Sequence, residues 1–370
     1  MHLLPDVVRT GLAFVVVLGV LVFVHELGHY LAARWRGIHV EAFSIGFGQT
    51  IASWTDRRGT EWKIAWLPLG GYVRLHGQER PEDVSPQTRA TWQAGKTFHE
   101  KTVLSRAIVV AAGPTANFIL AVVLFAGLFM SVGRPMAVPV IGEVMAGSAA
   151  AVAGLQAGDR VDTIDGTKIG AFEDVQRIVS AAPGRSLSMQ IERAGASQML
   201  QVVPGVRDDG AGGQSGILGI RASNAEYRRL DPVHAVMAGA AQTWDVTVQT
   251  LKGVGQMISG RRGTDDLGGP LRIAQLSGQV ALLGMASLVS FIAVLSVNLG
   301  LINLFPIPIL DGGHLLFYFL EAVRGRPIPP RAQEFGFRAG MALLACLFVF
   351  ATWNDLSHFG IFRWVAGLIG

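Results

Sequence analysis

Charge and cysteine are what this chain has least of. Of its 370 residues only 16% are Asp, Glu, Lys or Arg while 50% are hydrophobic, where a soluble domain ordinarily carries about a quarter charged. That deficit points to lipid as part of the solvent. A single cysteine, Cys346 in "MALLACLFVF", excludes an intrachain disulfide and any cysteine metal cluster. The 31 Lys and Arg against 27 Asp and Glu leave a net charge of +4, too small a bias for a nucleic-acid partner. A membrane surface is the better use of those cations.

Long apolar runs are plentiful. Four stretches qualify as spans by length and absence of charge: residues 8–34, 107–132, 282–305 and 339–355. The first, "GLAFVVVLGVLVFV", could pass for a secretory leader. Where a small-residue cleavage site should lie it instead carries His25, Glu26 and His29, so the expectation is a retained span. Between the first two spans lies a basic loop (Arg36, Arg57, Arg58, Lys63, Arg74, Arg80, Arg89, Lys96, Lys101, Arg106). A shorter basic loop with Arg324, Arg326, Arg331 and Arg338 joins the last two. The positive-inside rule places both loops in the cytoplasm, with both termini and residues 133–281 outside.

In the first loop "IASWTDRRGTEWKIAW" reads as two short strands around a turn at Arg57–Gly59, and "LPLGGYVRLHG" as a further extended piece. Two uses fit it: a hairpin lying on the membrane surface, or an edge strand that pairs with an extended substrate, Gly70 and Gly71 allowing close backbone approach. Residues 137–205 read as a small α/β module whose order of strands, helices and turns looks like a PDZ domain. Gly205–Gly216 reads as a linker, and "DPVHAVMAGAAQTWDVTVQTLKGVGQMI" as an amphipathic helix outside the membrane, because spanning would bury Asp245 and Lys252.

The chemistry sits in "HELGH", residues 25–29. Two histidines at i and i+4 share one helix face and can hold one Zn²⁺ while Glu26 reaches a bound water. Titratable groups in a span are expensive unless something binds or pairs with them, which favours the metal over an incidental pair of histidines. A third ligand is needed. The metzincin continuation would place Gly and His at positions 32 and 35, which are Ala32 and Trp35, and Glu41 lies too close, beyond Gly37.

The other polar intrusion is "NLGLINLFPIPILDGGHLL", residues 298–316, in which Asp311 follows the helix-breaking Pro306 and Pro308. Asp311 could simply cap the helix that follows. Topology favours a ligand: the first and third spans both run inward, so His25, His29 and Asp311 come near the same inner leaflet. Asn303 and Asn298 are candidate oxyanion donors, or interhelical hydrogen-bonders, and His314, at i+3 from Asp311, is a competing ligand candidate or a supporting residue.

Together "HELGH", "GPTANF" (113–118) and "NLFPIPILDGG" (303–313), with a PDZ-like insert between, resemble the site-2 intramembrane metalloproteases, nearest the bacterial regulator of sigma-E type in a single-PDZ form. The resemblance implies an α-helical polytopic membrane protein of about four spans, with a membrane-associated β-hairpin and an inserted α/β PDZ domain. Its expected parts are 1–34 (first span), 35–106 (cytoplasmic-side loop with the β element), 107–132 (second span), 133–215 (periplasmic PDZ domain and linker), 216–281 (amphipathic periplasmic segment), 282–321 (third span) and 322–370 (basic loop and fourth span).

It further implies zinc-dependent cleavage of a single-span membrane protein, such as a pre-trimmed anti-sigma factor, in a bacterial inner membrane. His25, His29 and Asp311 would be metal ligands, Glu26 the catalytic base, and Asn303 with Gly70, Gly71, Tyr72 and Val73 the substrate contacts. The competing expectation is a membrane PDZ scaffold without catalysis, against which the presence of Glu26 argues.

Overall fold

The computed structural model describes residues 6–79, 84–208, 214–223, 225–261, 263 and 268–358. The ends of the first and last expected parts, residues 1–5 and 359–370, lie outside these, as do residues 209–213 of the expected linker. The chain divides into two compact units, Met1–Gly127 with His234–Gly370, and Leu128–Val233.

In the first unit α1 (Asp6–Trp35) leads into β1 (Val40–Thr55) and β2 (Glu61–Leu75), followed by a short α2 (Pro86–Ala90) and α3 (Val103–Ser131). After the second unit the chain resumes with α6 (Pro232–Ile258), α7 (Pro270–Leu282), α8 (Met285–Asn303), α9 (Asp311–Arg324) and α10 (Pro330–His358). Four of these, α1, α3, α8 and α10, are long and apolar enough to cross a membrane.

Small residues and β-branched side chains let three of the long helices pack closely. Val17, Leu21 and Ile292 are buried against Leu120 and Leu124, joining α1, α8 and α3. A second cluster of Tyr30, Ala33, Ile38, Val40, Phe43, Leu75, Phe98 and Val109 ties α1 and α3 to the β-hairpin.

The hairpin differs from the expectation. It begins at Val40 rather than near Ile51 and folds over on itself, so that Ala42–Ile45 pair with Gly71–Arg74 on one side and Glu61–Ile64 on the other. The bend falls where Phe47 opposes Leu67, and register shifts accumulate on either side of it, as a bulged and sharply twisted ribbon requires. The first half of this strand, with Val40, Ala42, Phe43 and Ser44 buried, shows no strict alternation and is masked in the sequence by its run-on from the apolar helix. One outer edge, Gly71–Leu75, has no strand paired to its far side among the described residues.

Two further corrections concern the segment after the insert. Residues 205–216 are not all open linker: β9 (Gly205–Asp208) pairs with β10 (Gln214–Ile217). Nor is 216–281 one amphipathic stretch. Its first residues are strands of the second unit, and α6 packs along the bundle. A side chain at Gly239 would meet Val122 and Ala126 of α3, and the Thr250 hydroxyl donates to Asn298 Oδ1 of α8 at 2.9 Å.

The exposed surface of α6 divides into an apolar stripe (Val233, Met237, Trp244, Leu251) and a polar one (Asp245, Gln249, Lys252, Gln256). Periodicity revealed a helix but could not reveal which of three faces meets protein. α7 is fixed at its start by the buried carboxylate of Asp355 on α10, which accepts from the N–H groups of Gly269 and Arg272 at 2.9 and 3.1 Å.

The second unit holds a four-stranded antiparallel sheet in the order β6 (Thr167–Lys168), β5 (Arg160–Ile164), β7 (Leu187–Arg193), β8 (Ala196–Val202). Two-stranded pairs join β4 (Ile141–Val144) to β11 (Ile220–Ala222) and β3 (Arg134–Ala137) to β12 (Ala225–Arg228). With α4 (Ala149–Val152) and α5 (Phe172–Ser180) these enclose a core of Ile141, Val161, Ile164, Val175, Leu187, Met189, Ile191 and Leu218.

Candidate metal centre

His25 and His29 lie one turn apart on α1 with ring centroids 4.9 Å apart, and their Nε2 atoms are separated by 3.3 Å. Asp311 opens α9, after a loop in which Pro306 and Pro308 have ended α8. Its Oδ2 comes within 3.2 Å of His25 Nε2 and 3.5 Å of His29 Nε2. Two features hold the carboxylate there. Ile309 adopts φ 107°, a strained conformation for a β-branched residue of the kind stored beside functional sites. Gly312 lies against the carbonyls of Leu304 and Phe305, where a side chain could not fit. The N-cap of α9 is Leu310, so the alternative of Asp311 as a helix cap fails.

These three atoms suit a metal. Atoms bound tetrahedrally at 2.0–2.2 Å lie about 3.3 Å apart, the spacing seen here. The His29 Nδ1–H donates to the Val109 carbonyl at 2.9 Å, which leaves the Nε2 lone pair facing inward. Asp311 Oδ2 is buried and takes part in no well-formed hydrogen bond. A buried anionic oxygen facing a nitrogen lone pair is costly unless a cation joins them. The residues present therefore fit a divalent metal with two imidazoles, one carboxylate and a further open position, a set suited to Zn²⁺.

α3 supplies the support, a role the sequence reading missed. Val109, Gly113 and Asn117 are spaced by four residues and so share one face of the helix. Val109 orients His29, and the His29 ring lies directly over Gly113, where a Cβ would overlap it. Asn117 is completely buried with its amide nitrogen 3.2 Å from His25 Nδ1. The signal was present as the Gly113/Asn117 spacing, which matches that of His25/His29 on the facing helix.

Glu26 faces a cavity of about 1130 Å³ lined also by His25, His29, Gly71, Asn303 and Asp311. Gly71 belongs to the unpaired strand edge, and a Cβ there would lie 3.0 Å from Glu26 Cγ and 2.8 Å from Val22. Tyr72 and Val73 line the same cavity, whereas Gly70 packs beneath Phe47. Asn303 is brought to this space, but Asn298 is spent on Thr250 and is an interhelical hydrogen-bonder. His314 stacks near Phe337 at 5.4 Å and stands outside the ligand trio. Glu41, too near in sequence to be a ligand, is held by Arg74 and His76 at 2.9 and 2.8 Å.

Where α3 begins and α9 ends, Arg106 and Glu321 form an ion pair at 2.7 Å, the guanidinium lying 4.9 Å from the Tyr318 ring centre.

Comparison with known proteins agrees with this geometry. Residues 13–347 match the model of Peptidase family M50. A protein of Rhizobium meliloti, named as a zinc metalloprotease, is 46% identical over 367 residues, covering 96% of this chain and 98% of its own. Metalloprotease MmpA of Caulobacter vibrioides is 37% identical over 383 residues, covering 95% and 96%. Among solved structures, the PDZ domain of an SdrC-like protein from Listeria monocytogenes is similar at 18% identity with TM-score 0.21, over 25% of this chain and 93% of that one.

Proposed function

The chain belongs to peptidase family M50, a zinc metalloprotease family, and from that premise we propose that it cuts single-span membrane proteins within or beside the lipid bilayer, as a site-2 type protease. What carries the reading is the meeting of His25, His29 and Asp311 at 3.2–3.5 Å on helices apolar enough to span a membrane or adjoining one. Peptide hydrolysis needs water, and a hydrated metal cannot face lipid. A cavity walled by protein supplies the shelter.

His25, His29 and Asp311 would hold the ion. When bound, zinc lowers the pKa of a coordinated water to about 7 and polarises the scissile carbonyl. Glu26, which faces the same cavity, would take a proton from the attacking water on its carboxylate and return it to the departing amine, acting first as base and then as acid. Asn303, on the cavity wall, donates its side-chain amide to the substrate backbone or the developing oxyanion.

The substrate adds as a strand to the open edge at Gly71–Leu75, its carbonyls exchanged from helix to sheet hydrogen bonds. That exchange is needed because a helical peptide bond has its carbonyl already paired. Gly71 removes the side chain that would separate this strand from Glu26.

The second unit is a PDZ domain that reads a substrate terminus or excludes bulky uncut substrates. The basic loops support a catalytic centre near the cytoplasmic leaflet of a bacterial inner membrane. The natural substrate class is a membrane anti-sigma factor already trimmed by another protease.

The test is coexpression with a tagged single-span substrate of the parent and of Glu26→Gln. The parent should generate a fragment cut within the span, and the variant should lose at least about a hundredfold of that rate while still holding zinc. Equal fragment from both would leave a metal-binding scaffold in place of a protease.

A further inference from the structure

The support given to His25 differs from that given to His29, and the difference has chemical content. His29 donates from Nδ1 to a main-chain carbonyl, an acceptor that cannot change. His25 Nδ1 faces the side chain of Asn117, whose amide can present either a donor or an acceptor. Its nitrogen lies at 3.2 Å and its oxygen is buried with no partner. Oxygen and nitrogen exchange places by rotation about the last side-chain bond.

With the nitrogen toward His25, Nδ1 must accept, the ring proton sits on Nε2, and that nitrogen has no lone pair for a metal. With the oxygen toward His25, Nδ1 carries the proton and Nε2 is free. The main chain of Asn117 is fixed independently, its carbonyl accepting from the buried Ser296 hydroxyl of α8 at 2.8 Å, so the amide rotates about a stationary anchor.

We propose that Asn117 is a positioning residue for His25. Its amide oxygen accepts the Nδ1–H and so selects the tautomer whose Nε2 lone pair meets His29 Nε2 and Asp311 Oδ2. α3 then orients both imidazoles, one through Val109 and the other through Asn117. This rests on the zinc reading given above and adds a residue that touches neither ion nor substrate.

The test uses full-length protein in detergent, titrated with Zn²⁺ against a competing chelator, with ¹⁵N-imidazole spectra to report the His25 tautomer. Asn117→Leu keeps the branched shape and removes the acceptor, and should weaken zinc binding 10–100-fold. Asn117→Asp restores an acceptor and should recover affinity to within a few-fold of the parent. Zinc-loaded parent should show His25 protonated on Nδ1.

The inference is overturned if Asn117→Leu binds zinc within twofold of the parent, or if loaded His25 carries its proton on Nε2. Should Asn117→Leu not fold, Asn117→Ala replaces it with the same expected loss. His25→Ala and Asp311→Ala separate the two levels. If they leave affinity intact the zinc site itself is wrong; if they abolish binding while Asn117→Leu does not, only the role of Asn117 falls.

Discussion

A missing side chain at Gly113 matters as much to the metal centre as the imidazole that lies over it. Alanine is the better helix former by about 0.8–1 kcal/mol, so Gly113→Ala should favour α3 while its Cβ overlaps the His29 ring. The expected outcome is a helix at least as stable, a displaced His29 and little bound zinc, read as metal content by atomic emission alongside a thermal melt.

Asp159, in the second unit, offers a separate prediction. Burial pushes its carboxyl up, but the Arg193 guanidinium at 2.7 Å and the Gln156 N–H outweigh this and hold it below the usual carboxylate range. The stabilisation is therefore complete above the unfolded carboxylate value and is lost as pH falls through the lowered one. Hydrogen exchange in β5 and β7 should be flat from pH 7 to 5 after correction for intrinsic rates and accelerate only in stronger acid. Arg193→Met should make exchange in β5 and β7 faster already at neutral pH, because the Asp159 carboxylate loses its partner.

At this scale the sequence was most legible where chemistry is carried by rare residue types. His25, Glu26, His29 and Asp311 stand out because titratable groups are scarce in apolar runs. Gly113 and Asn117 were quoted in a motif without a role, because a glycine's purpose and a buried amide's partner appear only when the facing helix is in place.

Among the elements, the open strand at Gly71–Leu75 invites a direct measurement. Successive N–H groups along an edge strand point alternately toward the neighbouring strand and away from it. Proline placed in turn at Tyr72 and Val73 should split the two: one variant destabilises the hairpin, and the other folds normally yet cleaves poorly because an N–H offered to substrate is gone. Cleavage unaffected in both would refute strand addition.

Arg106 and Glu321 join the beginning of α3 to the end of α9, the two helices that orient His29 and carry Asp311. Removing either charge leaves the other buried, so each single substitution to Met should cost more than the pair together, a double-mutant cycle measurable in zinc affinity.

Helix positions were readable from apolar length, and the break before α9 from its prolines. The first half of β1 and the three-faced packing of α6 were not, since both depend on partners far along the chain.

At the level of the molecule, the insert closes on itself. β3 and β12 pair so that Arg134 stands opposite Arg228 and Ala137 opposite Ala225, while the Leu230 N–H reaches the Phe129 carbonyl at 3.0 Å. The overall plan, apolar helices interrupted by a small α/β module, was evident from the apolar runs and from the order of strands, helices and turns between them. The reach of the module to residue 233 was not, because its last strands are short and polar.

Replacing residues 134–228 with a few glycines and serines should leave zinc bound at one ion per chain and proteolysis of a fully trimmed substrate intact. Loss of metal on this replacement would show that the module helps to build the centre.

The paired arms of β3 and β12 amount to a socket. Chain that leaves and returns through neighbouring strands imposes no demand on what is carried beyond them, so modules of quite different size could be exchanged there over evolutionary time while the metal centre stayed as it was.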